Sequence, residues 1–200
     1  MIREKNKCEN LIDSQDEKFL NNYWKTYERI LSESRDYETF VQIKKVFKQV
    51  SKDGGKIIFV GNGASASLAS HAATDLTKQG KIKSIALNDH NLITALSNDY
   101  GYEKWVEKAL SYYSSKNDML VLISVSGESP NLVNAVNYAK KNSLITLSLT
   151  GFGKENTLKS STDYSLWVDC KSYNIVESIH TIWITLVIDL IIGKSQYSVN

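Results

Sequence analysis

Two short loops rich in glycine and serine carry side chains and backbone suited to binding an anion. The first, Gly61–Ser67 (GNGASAS), directly follows the apolar run Ile57–Val60. Glycine lets the backbone approach an anion closely, and a helix N-terminus offers free N–H groups and positive potential. A dinucleotide-binding fingerprint would need glycine in place of Ala66, and the Gly-Lys-Ser/Thr ending of a P-loop is absent. Alone, this segment is either an anion-binding loop or a tight turn between strand and helix.

The second loop, Ser124–Pro130 (SVSGESP), follows another apolar run and carries three hydroxyl groups. We expect Ser129 to cap the next helix, because Pro130 fits the first helical turn. Hydroxyl groups gathered at a helix N-terminus suit a phosphate monoester without a metal ion or a lysine. Two such loops at the ends of neighbouring strands predict a phosphate-binding site, although a capped helix with a serine-rich loop is the simpler alternative.

The elements that must position these loops alternate between strand and helix. Five short apolar runs are typical of strands buried on both faces, and these are Ile57–Val60, Ile85–Leu87, Met119–Ile123, Leu144–Leu149 and Tyr164–Val168. Helical patterns lie between them, at about 65–78, 102–114, 130–141 and 153–160. The pattern predicts an α/β fold: a three-layer αβα arrangement around a five-stranded parallel, flavodoxin-like sheet, with ligands bound at the carboxyl ends of the strands.

The chain is expected to form one domain over residues 16–200, preceded by a flexible arm of residues 1–15. Residues 16–53 are predicted to form two N-terminal helices, and residues 54–195 the αβα core. The last helix, at about 174–193, is apolar on nearly all sides and is predicted to be buried. Its most apolar part, Ile179–Ile192, is shorter than a bilayer span, so no membrane partner is expected.

Composition excludes several classes of protein. The 200 residues carry a formal net charge of only +2, without runs of like charge, so a nucleic-acid partner is not expected. The two cysteines, Cys8 and Cys170, lie far apart, which argues against a disulfide framework or a structural zinc site. No secretory signal is visible at the start of the sequence, and these features together favour a cytoplasmic protein.

Several motifs, in their order and spacing, resemble those of the bacterial phosphoheptose isomerases, which are sugar-isomerase (SIS) domain proteins. These motifs are Val60–Ser65, His71, Ser84–Asn88, Ser97–Gly101, Ile123–Ser129, Leu149–Gly151 and Glu177–His180. The resemblance covers about residues 15–195. It implies a homotetramer with active sites between subunits. It also implies ketose–aldose isomerisation of sedoheptulose 7-phosphate, which leads toward lipopolysaccharide or capsule.

The resemblance also implies a set of residues that contact the substrate and its phosphate. Val125 stands where the family usually has threonine, and its backbone can still contribute. The implied binding residues are Asn62, Gly63, Ser65, Asn98, Asp99, Ser124, Val125, Ser126, Ser129, Glu177 and Thr185.

The implied catalytic positions match the family less closely. His71 matches a family histidine, but Asp75 stands where the family has its proposed glutamate base. Glu177 replaces a glutamine, and Thr185 replaces the second catalytic histidine. His180 matches a further family position, three residues after the glutamine. We therefore take His71, Asp75, Glu177 and His180 as the candidate catalytic residues.

Helical spacing decides which of these residues can act together. His71 and Asp75 are four residues apart and Glu177 and His180 three, so each pair shares a helix face. His180 and Thr185 are five apart, about 140° around a helix, so His180 does not simply replace the missing histidine. His180 also lies among apolar residues, and a buried core histidine is the alternative interpretation.

Two arrangements would restore the chemistry. In the first, His71, Asp75 and Glu177 bind Zn²⁺, although no cofactor is strictly required. In the second, Glu177 is the base that moves a proton through an enediol, with His71 or His180 as its partner.

Three functions follow from these residues and the resemblance. The first is an isomerase of sedoheptulose 7-phosphate, and the second an isomerase of a related sugar phosphate. The third is a non-catalytic SIS adaptor for a protein such as a replication initiator, because the segment Ser84–Asp99 is similar to the replication-initiator-associating proteins. His71 and the carboxylates of Asp75 and Glu177 favour an enzyme.

Overall fold

A parallel sheet of five strands forms the centre of the computed structural model, which describes residues 12–196. The strands run in the order β2-β1-β3-β4-β5, and every pairing is parallel. This is the predicted flavodoxin-like order, with its switch point between β1 and β3. The strands are β1 (Ile57–Gly61), β2 (Ser84–Ala86), β3 (Met119–Ser124), β4 (Ile145–Thr150) and β5 (Tyr164–Trp167).

Strands β1 and β3 consist mainly of apolar residues because helices cover both of their faces. Every residue of β1 and of β3 is buried. In the register between them, Val60 lies opposite Leu122 and Gly61 opposite Ile123. The two strands therefore end together, and the loops that follow them leave the same edge of the sheet side by side.

Helices pack on both faces of the sheet, which confirms the three-layer architecture. One face carries α4 (His90–Tyr100), α5 (Trp105–Tyr113), α6 (Pro130–Lys141) and α7 (Thr157–Ser161), whose apolar residues form one cluster with β1 and β3. The other face carries α2 (Tyr37–Lys52), α3 (Ala64–Lys78) and α8 (Tyr173–Ile192). On that face the ring of Phe47 packs edge-on against Phe59.

Helix α4 was not predicted from the sequence, because no helical pattern was located between the run Ile85–Leu87 and residue 102, and His90 lies in that interval. His90 is instead the first residue of α4, and the carboxylate of Asp89 accepts a hydrogen bond from the Leu92 N–H at 3.1 Å. Only Leu96 of this helix is fully buried, so its apolar periodicity is too weak to stand out. The helix predicted at 102–114 is the separate helix α5.

The N-terminal helix α1 (Ser14–Glu33) belongs to a compact unit that ends at Arg35. The carboxylate of Asp13 caps it by accepting from the N–H groups of Gln15 and Asp16. A second unit begins at Asp36 and contains α2 together with the α/β core. The arm predicted for residues 1–15 lies mostly outside the described residues.

Helix α8 is longer than the apolar stretch Ile179–Ile192 recognised in the sequence. Its 20 residues, with a mean hydropathy of 1.9, are long and apolar enough to cross a membrane. Half of that segment is buried inside the protein, however, as expected of the core helix of a soluble α/β protein. Ile182 and Leu186 are exposed on its outer side.

Candidate functional site

The two predicted anion-binding loops lie next to each other and are joined by side chains. Asn62, in the first loop, forms two hydrogen bonds with Asn131 at the start of α6. The Asn62 Nδ2 donates to Asn131 Oδ1 at 3.0 Å, and the Asn131 Nδ2 donates to Asn62 Oδ1 at 2.9 Å. The Tyr102 hydroxyl donates to the same Asn62 oxygen at 3.1 Å. Asn131 is buried, so this amide pair fixes the first loop against the second.

The first loop turns directly into helix α3. Gly63 occupies the N-cap position with φ of 56°, a conformation that favours glycine. Ser65 follows in the first helical turn and is buried at the sheet edge. The segment therefore forms the tight turn between strand and helix, and anion binding by this loop stays a prediction.

The serine loop is held in shape by a neighbouring segment. Gly127 has φ of 71°, and a Cβ atom at this position would lie 2.0 Å from Oδ1 of the buried Asn156. The carboxylate of Glu128 accepts hydrogen bonds from the Thr157 N–H at 2.7 Å and from the Thr157 hydroxyl at 2.6 Å. Asn156 and Glu128 thus attach the serine loop to the start of α7.

At least two of the three serine hydroxyls remain able to donate hydrogen bonds, because one of Ser124 and Ser129 donates to the other. Ser129 lies at the N-cap position of α6, but its side chain makes no capping hydrogen bond, contrary to the sequence-based expectation. Its oxygen lies 3.3 Å from the Ser124 oxygen. The Ser124 and Ser126 oxygens accept from the N–H groups of Gly127 and Glu128, which orients these hydroxyls without using their protons. The loop can therefore donate several hydrogen bonds to one anion.

Two cavities that share residues border these loops. The smaller, of about 110 Å³, is lined by Asn62, Ser65, Ile123, Ser124, Val125, Ser126, Ser129, Tyr173 and Glu177. The larger, of about 240 Å³, is lined by Ala64, Ser65, Leu68, Ile123, Asn174, Glu177, Ser178, His180 and Thr181. Ser65, Ile123 and Glu177 border both cavities. We refer to the first as the serine-loop cavity and to the second as the α8 cavity.

His180 borders the α8 cavity and is fully buried, at 0% exposure. Burial lowers the pKa of its imidazole to about 4, and the nearby backbone carbonyl of Thr150 offsets only a little of this shift. Neither ring nitrogen has a hydrogen-bond partner in good geometry among the described residues. His180 is therefore neutral at pH 7, with a donor and an acceptor unused.

His71 and Asp75 lie together on α3, as their spacing predicts. His71 Nε2 is 3.3 Å from Asp75 Oδ2, and their side chains are 59% and 28% exposed. Neither residue borders the serine-loop cavity or the α8 cavity. The structure thus brings Glu177 and His180 to one cavity and leaves the His71–Asp75 pair on an open helix face.

The donor set proposed for Zn²⁺ does not assemble in the single chain. Within residues 12–196, no three His, Cys, Asp or Glu side chains lie close enough together to hold a metal ion. His71 and Asp75 form a pair, but Glu177 does not complete it. The residues present do not fit a metal site of the predicted composition.

Three other predicted binding residues lie away from both cavities. Asn98 and Asp99 are exposed near the end of α4, where Asn98 Nδ2 donates to the Asp99 carboxylate. The Thr185 hydroxyl donates to the backbone carbonyls of Thr181 and Ile182, so α8 itself uses its proton. Their contact with a substrate stays a prediction.

Several residues that shape the site were missed in the sequence. Asn131 and Asn156 fix the loops, and Tyr173 borders the serine-loop cavity. The position of Asn131 directly after Pro130, at a helix start, was the only signal available. Asn156 caps α7 by accepting from the Lys159 N–H, a pattern that an Asn before a short helix could have indicated.

Comparison with known proteins agrees with this geometry. Residues 19–151 match the SIS domain family. The chain therefore belongs to the SIS domain family, whose members include phosphosugar isomerases. The matched segment contains both loops and His71–Asp75 but not α8, so Glu177, His180 and Thr185 lie outside it.

Within this family, the chain is similar to curated phosphoheptose isomerases. It is 38% identical to the enzyme of Helicobacter pylori strain HPAG1 over 143 residues, which are 68% of this chain and 74% of that protein. It is 35% identical to the enzyme of Maridesulfovibrio salexigens over 133 residues, 64% of each chain, so the alignment spans just under two thirds of that relative.

A solved structure extends the likeness to nearly the whole chain. Phosphoheptose isomerase GmhA from Neisseria gonorrhoeae aligns with a TM-score of 0.81 and 27% identity, over 88% of this chain and 97% of that one. The resemblance inferred from the loop motifs is thereby confirmed.

Proposed function

We propose that this protein is a cytoplasmic sugar-phosphate isomerase that interconverts sedoheptulose 7-phosphate, or a related ketose phosphate, with its aldose through an enediol. The observation that carries the proposal is the pair of cavities that share Glu177: one is lined by phosphate-binding hydroxyls and the other by a neutral histidine. Its relatives are named phosphoheptose isomerases, which supports the same substrate class and a place in surface-polysaccharide synthesis.

The serine-loop cavity suits the phosphate group. The hydroxyls of Ser124, Ser126 and Ser129 surround the N-terminus of α6, whose positive potential favours an anion. Pro130 has no N–H and the Leu132 N–H is bonded to the Ser129 carbonyl, so the hydroxyls are the main donors here. None of the described residues that line either cavity is Lys or Arg. Binding would therefore rest on hydroxyl and backbone donors, as the sequence predicts.

The α8 cavity suits the proton transfers. With the phosphate in the serine-loop cavity, the carboxylate of Glu177 stands where the sugar carbons enter the α8 cavity. Glu177 would remove the proton from C1 of the ketose and return it to C2 of the enediol. Neutral His180 would give its N–H proton to the C2 oxygen and accept the C1 hydroxyl proton at its other ring nitrogen, which moves the hydroxyl proton from O1 to O2 and leaves the imidazole neutral.

The His71–Asp75 pair is the competing candidate for the base. It lies on an exposed face of α3, so it would need a second subunit to exclude water from the reaction. We propose a homotetramer, because Ile182 and Leu186 on α8 and Val41 on α2 are also exposed apolar side chains that a second copy would cover. Native mass spectrometry of the full chain measures this directly.

The proposal is tested by proton NMR of the protein with sedoheptulose 7-phosphate in D₂O. Wild-type protein should form aldose and incorporate deuterium beside the carbonyl. We expect Glu177→Gln to slow both about a thousandfold while it still binds the sugar phosphate, since loss of a general base costs roughly 10²–10⁴-fold. Asp189→Asn, a carboxylate change three turns along α8, is the matched control and should leave the rate unchanged.

The variants also separate the two candidate bases. If Asp75→Asn abolishes deuterium exchange and Glu177→Gln does not, the base lies on α3 and the assignment to Glu177 is wrong. If the wild-type protein binds the sugar phosphate but neither converts nor exchanges it or any related ketose phosphate, the protein is not an isomerase.

That last outcome would favour a second function, a non-catalytic adaptor that binds a protein partner. The observation in its favour is that the hydroxyl of Thr185, where the resemblance implies the second catalytic histidine of the family, is bound to its own helix. An adaptor of this kind would keep the serine loop as a ligand sensor. Gene neighbours for heptose or capsule synthesis favour the enzyme, and replication genes favour the adaptor.

A further inference from the structure

Tyr173 borders the serine-loop cavity but was not among the residues predicted to bind the ligand. It is the first residue of α8, and its side chain is 58% exposed. The cavity places it with Ser126, Ser129 and Glu177. Among the described residues, no partner accepts or donates a hydrogen bond at its hydroxyl, so the phenol is available to a ligand.

Phe152 holds the Tyr173 ring from behind. The two rings meet edge to face, with centroids 5.0 Å apart and planes inclined by 75°. Phe152 has φ of 57°, an unusual conformation for a bulky residue and one that often marks a functional position. Its N–H donates to the Cys170 carbonyl at 3.0 Å, which maintains this conformation and ties the segment after β4 to the segment before α8.

The same segment is attached to the serine loop. The N–H of Gly151 donates to the Val125 carbonyl at 2.9 Å. A Cβ atom on Gly151 would lie 2.8 Å from the side chain of Val176, so the segment packs closely on α8. The serine loop, Phe152 and Tyr173 therefore form one connected structure on one side of the cavity.

The charge of the cavity explains why such a residue is needed. A phosphate monoester carries close to two negative charges at neutral pH, and Glu177 adds a carboxylate to the same cavity. No Lys or Arg among the described residues lines it. Each further uncharged donor is therefore valuable, and a phenol keeps its proton at neutral pH.

We propose that the Tyr173 hydroxyl donates a hydrogen bond to the phosphate of the bound sugar and that Phe152 is a positioning residue for the Tyr173 ring. The inference rests on the proposed function, because it assigns the ligand's phosphate to the serine-loop cavity. It adds a phosphate contact from α8 to those from the serine loop.

The test is calorimetric titration of the full chain with sedoheptulose 7-phosphate and, separately, with inorganic phosphate. Tyr173→Phe should weaken both ligands by about tenfold, because hydrogen bonds to charged groups contribute about that much. The loss of affinity should be equal for the two ligands because the proposed contact is to the phosphate, which both contain. Tyr37→Phe, at an exposed tyrosine that starts α2, is the matched control and should bind as the wild type does.

A double-mutant cycle tests the role of Phe152. Phe152→Gly removes the ring while it tolerates the positive φ, and it should weaken phosphate binding several-fold in the wild-type background. In the Tyr173→Phe background the same change should have almost no effect, since the hydroxyl it positions is gone. A merely structural role would give the same loss in both backgrounds and would overturn this part of the inference.

Comparing the affinities for sedoheptulose 7-phosphate and for inorganic phosphate distinguishes failure of this inference from failure of the proposed function. If Tyr173→Phe binds both ligands as tightly as the wild type, or loses affinity only for the sugar phosphate, the phosphate contact is wrong while the proposed function stands. If the wild-type protein binds neither ligand, the proposed function fails and the inference fails with it. Circular dichroism confirms that each variant is folded.

Discussion

The two ends of the candidate site differ in how completely one chain builds them. At the serine-loop end, Ser65, Ser124 and Asn131 are buried, and hydrogen bonds between side chains connect the loops after β1 and β3. At the other end, the His71–Asp75 pair lies on an exposed face of α3. Phosphate binding can thus be a property of the single chain, whereas part of the chemistry depends on what covers α3.

This difference reflects how each end is held. The serine-loop end depends on backbone conformation, helix N-termini and buried amides, which the sheet fixes once it forms. The α3 end depends on the side chains of His71 and Asp75, which are 59% and 28% exposed and pair with each other. Substitutions at the serine-loop end should therefore lower both phosphate affinity and the stability of the fold. Substitutions at the α3 end should change neither strongly.

The largest loss of phosphate affinity is expected from Gly127→Val. The substitution forces a β-branched residue into a positive φ and overlaps the Asn156 side chain, so the serine loop must move. Affinity for inorganic phosphate should fall by at least about 100-fold, since several charge-assisted hydrogen bonds are lost together. Titration calorimetry measures the loss.

Gly153→Ala is the control for that change. Gly153 lies in the same neighbourhood, yet a Cβ atom there has nothing within 4 Å. Binding by Gly153→Ala should equal that of the wild type. Normal phosphate affinity in Gly127→Val would show that the loop does not form the phosphate site.

The next effect is on the pH dependence of the free energy of unfolding, to which His180 contributes. Its folded-state pKa of about 4 lies below the ordinary value of 6.5, so between these values the unfolded chain binds a proton that the native protein does not. This contribution to the free energy of unfolding is complete above pH 6.5 and is lost as the pH falls toward 4. At pH 5 the loss is about 2 kcal/mol, from roughly 1.5 pKa units at 1.36 kcal/mol each.

Urea unfolding at pH 7.5 and pH 5 measures this dependence. His180→Phe should remove about 2 kcal/mol of the difference between the two pH values. His90→Asn, at an exposed histidine, should leave the difference unchanged. An unaltered difference in His180→Phe would show that the imidazole is solvated in the native protein.

A smaller effect is expected from Asn131→Ala, which removes the two hydrogen bonds between the Asn131 and Asn62 side chains and leaves the one from the Tyr102 hydroxyl to Asn62. Loss of this buried hydrogen-bonded pair should cost about 1–2 kcal/mol of stability and weaken phosphate binding several-fold. Thermal unfolding and phosphate titration measure the two effects. Asn134→Ala removes an exposed amide from the same helix and should change phosphate binding little.

The smallest effect is expected from metal removal. No group of three suitable donors assembles in the part of the chain that the structure describes, so treatment with a chelator should change the isomerisation rate less than about twofold. The NMR assay with and without added Zn²⁺ measures it. Full loss of activity on chelation, restored by Zn²⁺, would show that another subunit completes a metal site.

Much of the fold could be predicted because strands and loops follow local patterns. The apolar runs located all five strands, and the glycine and serine motifs placed both loops at their carboxyl ends. The sequence pattern did not reveal helix α4, because Leu96 is its one buried residue. Pairing of His71 with Asp75 followed from helical spacing alone.

The candidate site was only partly predictable, for a physical reason. Asn62 and Asn131 are 69 positions apart in the chain, and Phe152 and Tyr173 are separated by α7 and β5, so no local pattern connects them. Whether a polar side chain faces a cavity or its own backbone is also settled by packing. That is why Glu177 borders both cavities while the hydroxyl of Thr185 binds its own helix.

The sequence by itself determined the order of the strands and of the helices other than α4, the position of both loops and the family, because apolar periodicity and loop motifs are local properties of the chain. Only the tertiary structure decided that Glu177 borders both the serine-loop cavity and the α8 cavity, that His180 borders the second, and that the burial of His180 holds its pKa near 4. These are properties of distance and solvent exclusion, which arise only when segments remote in the chain pack against one another.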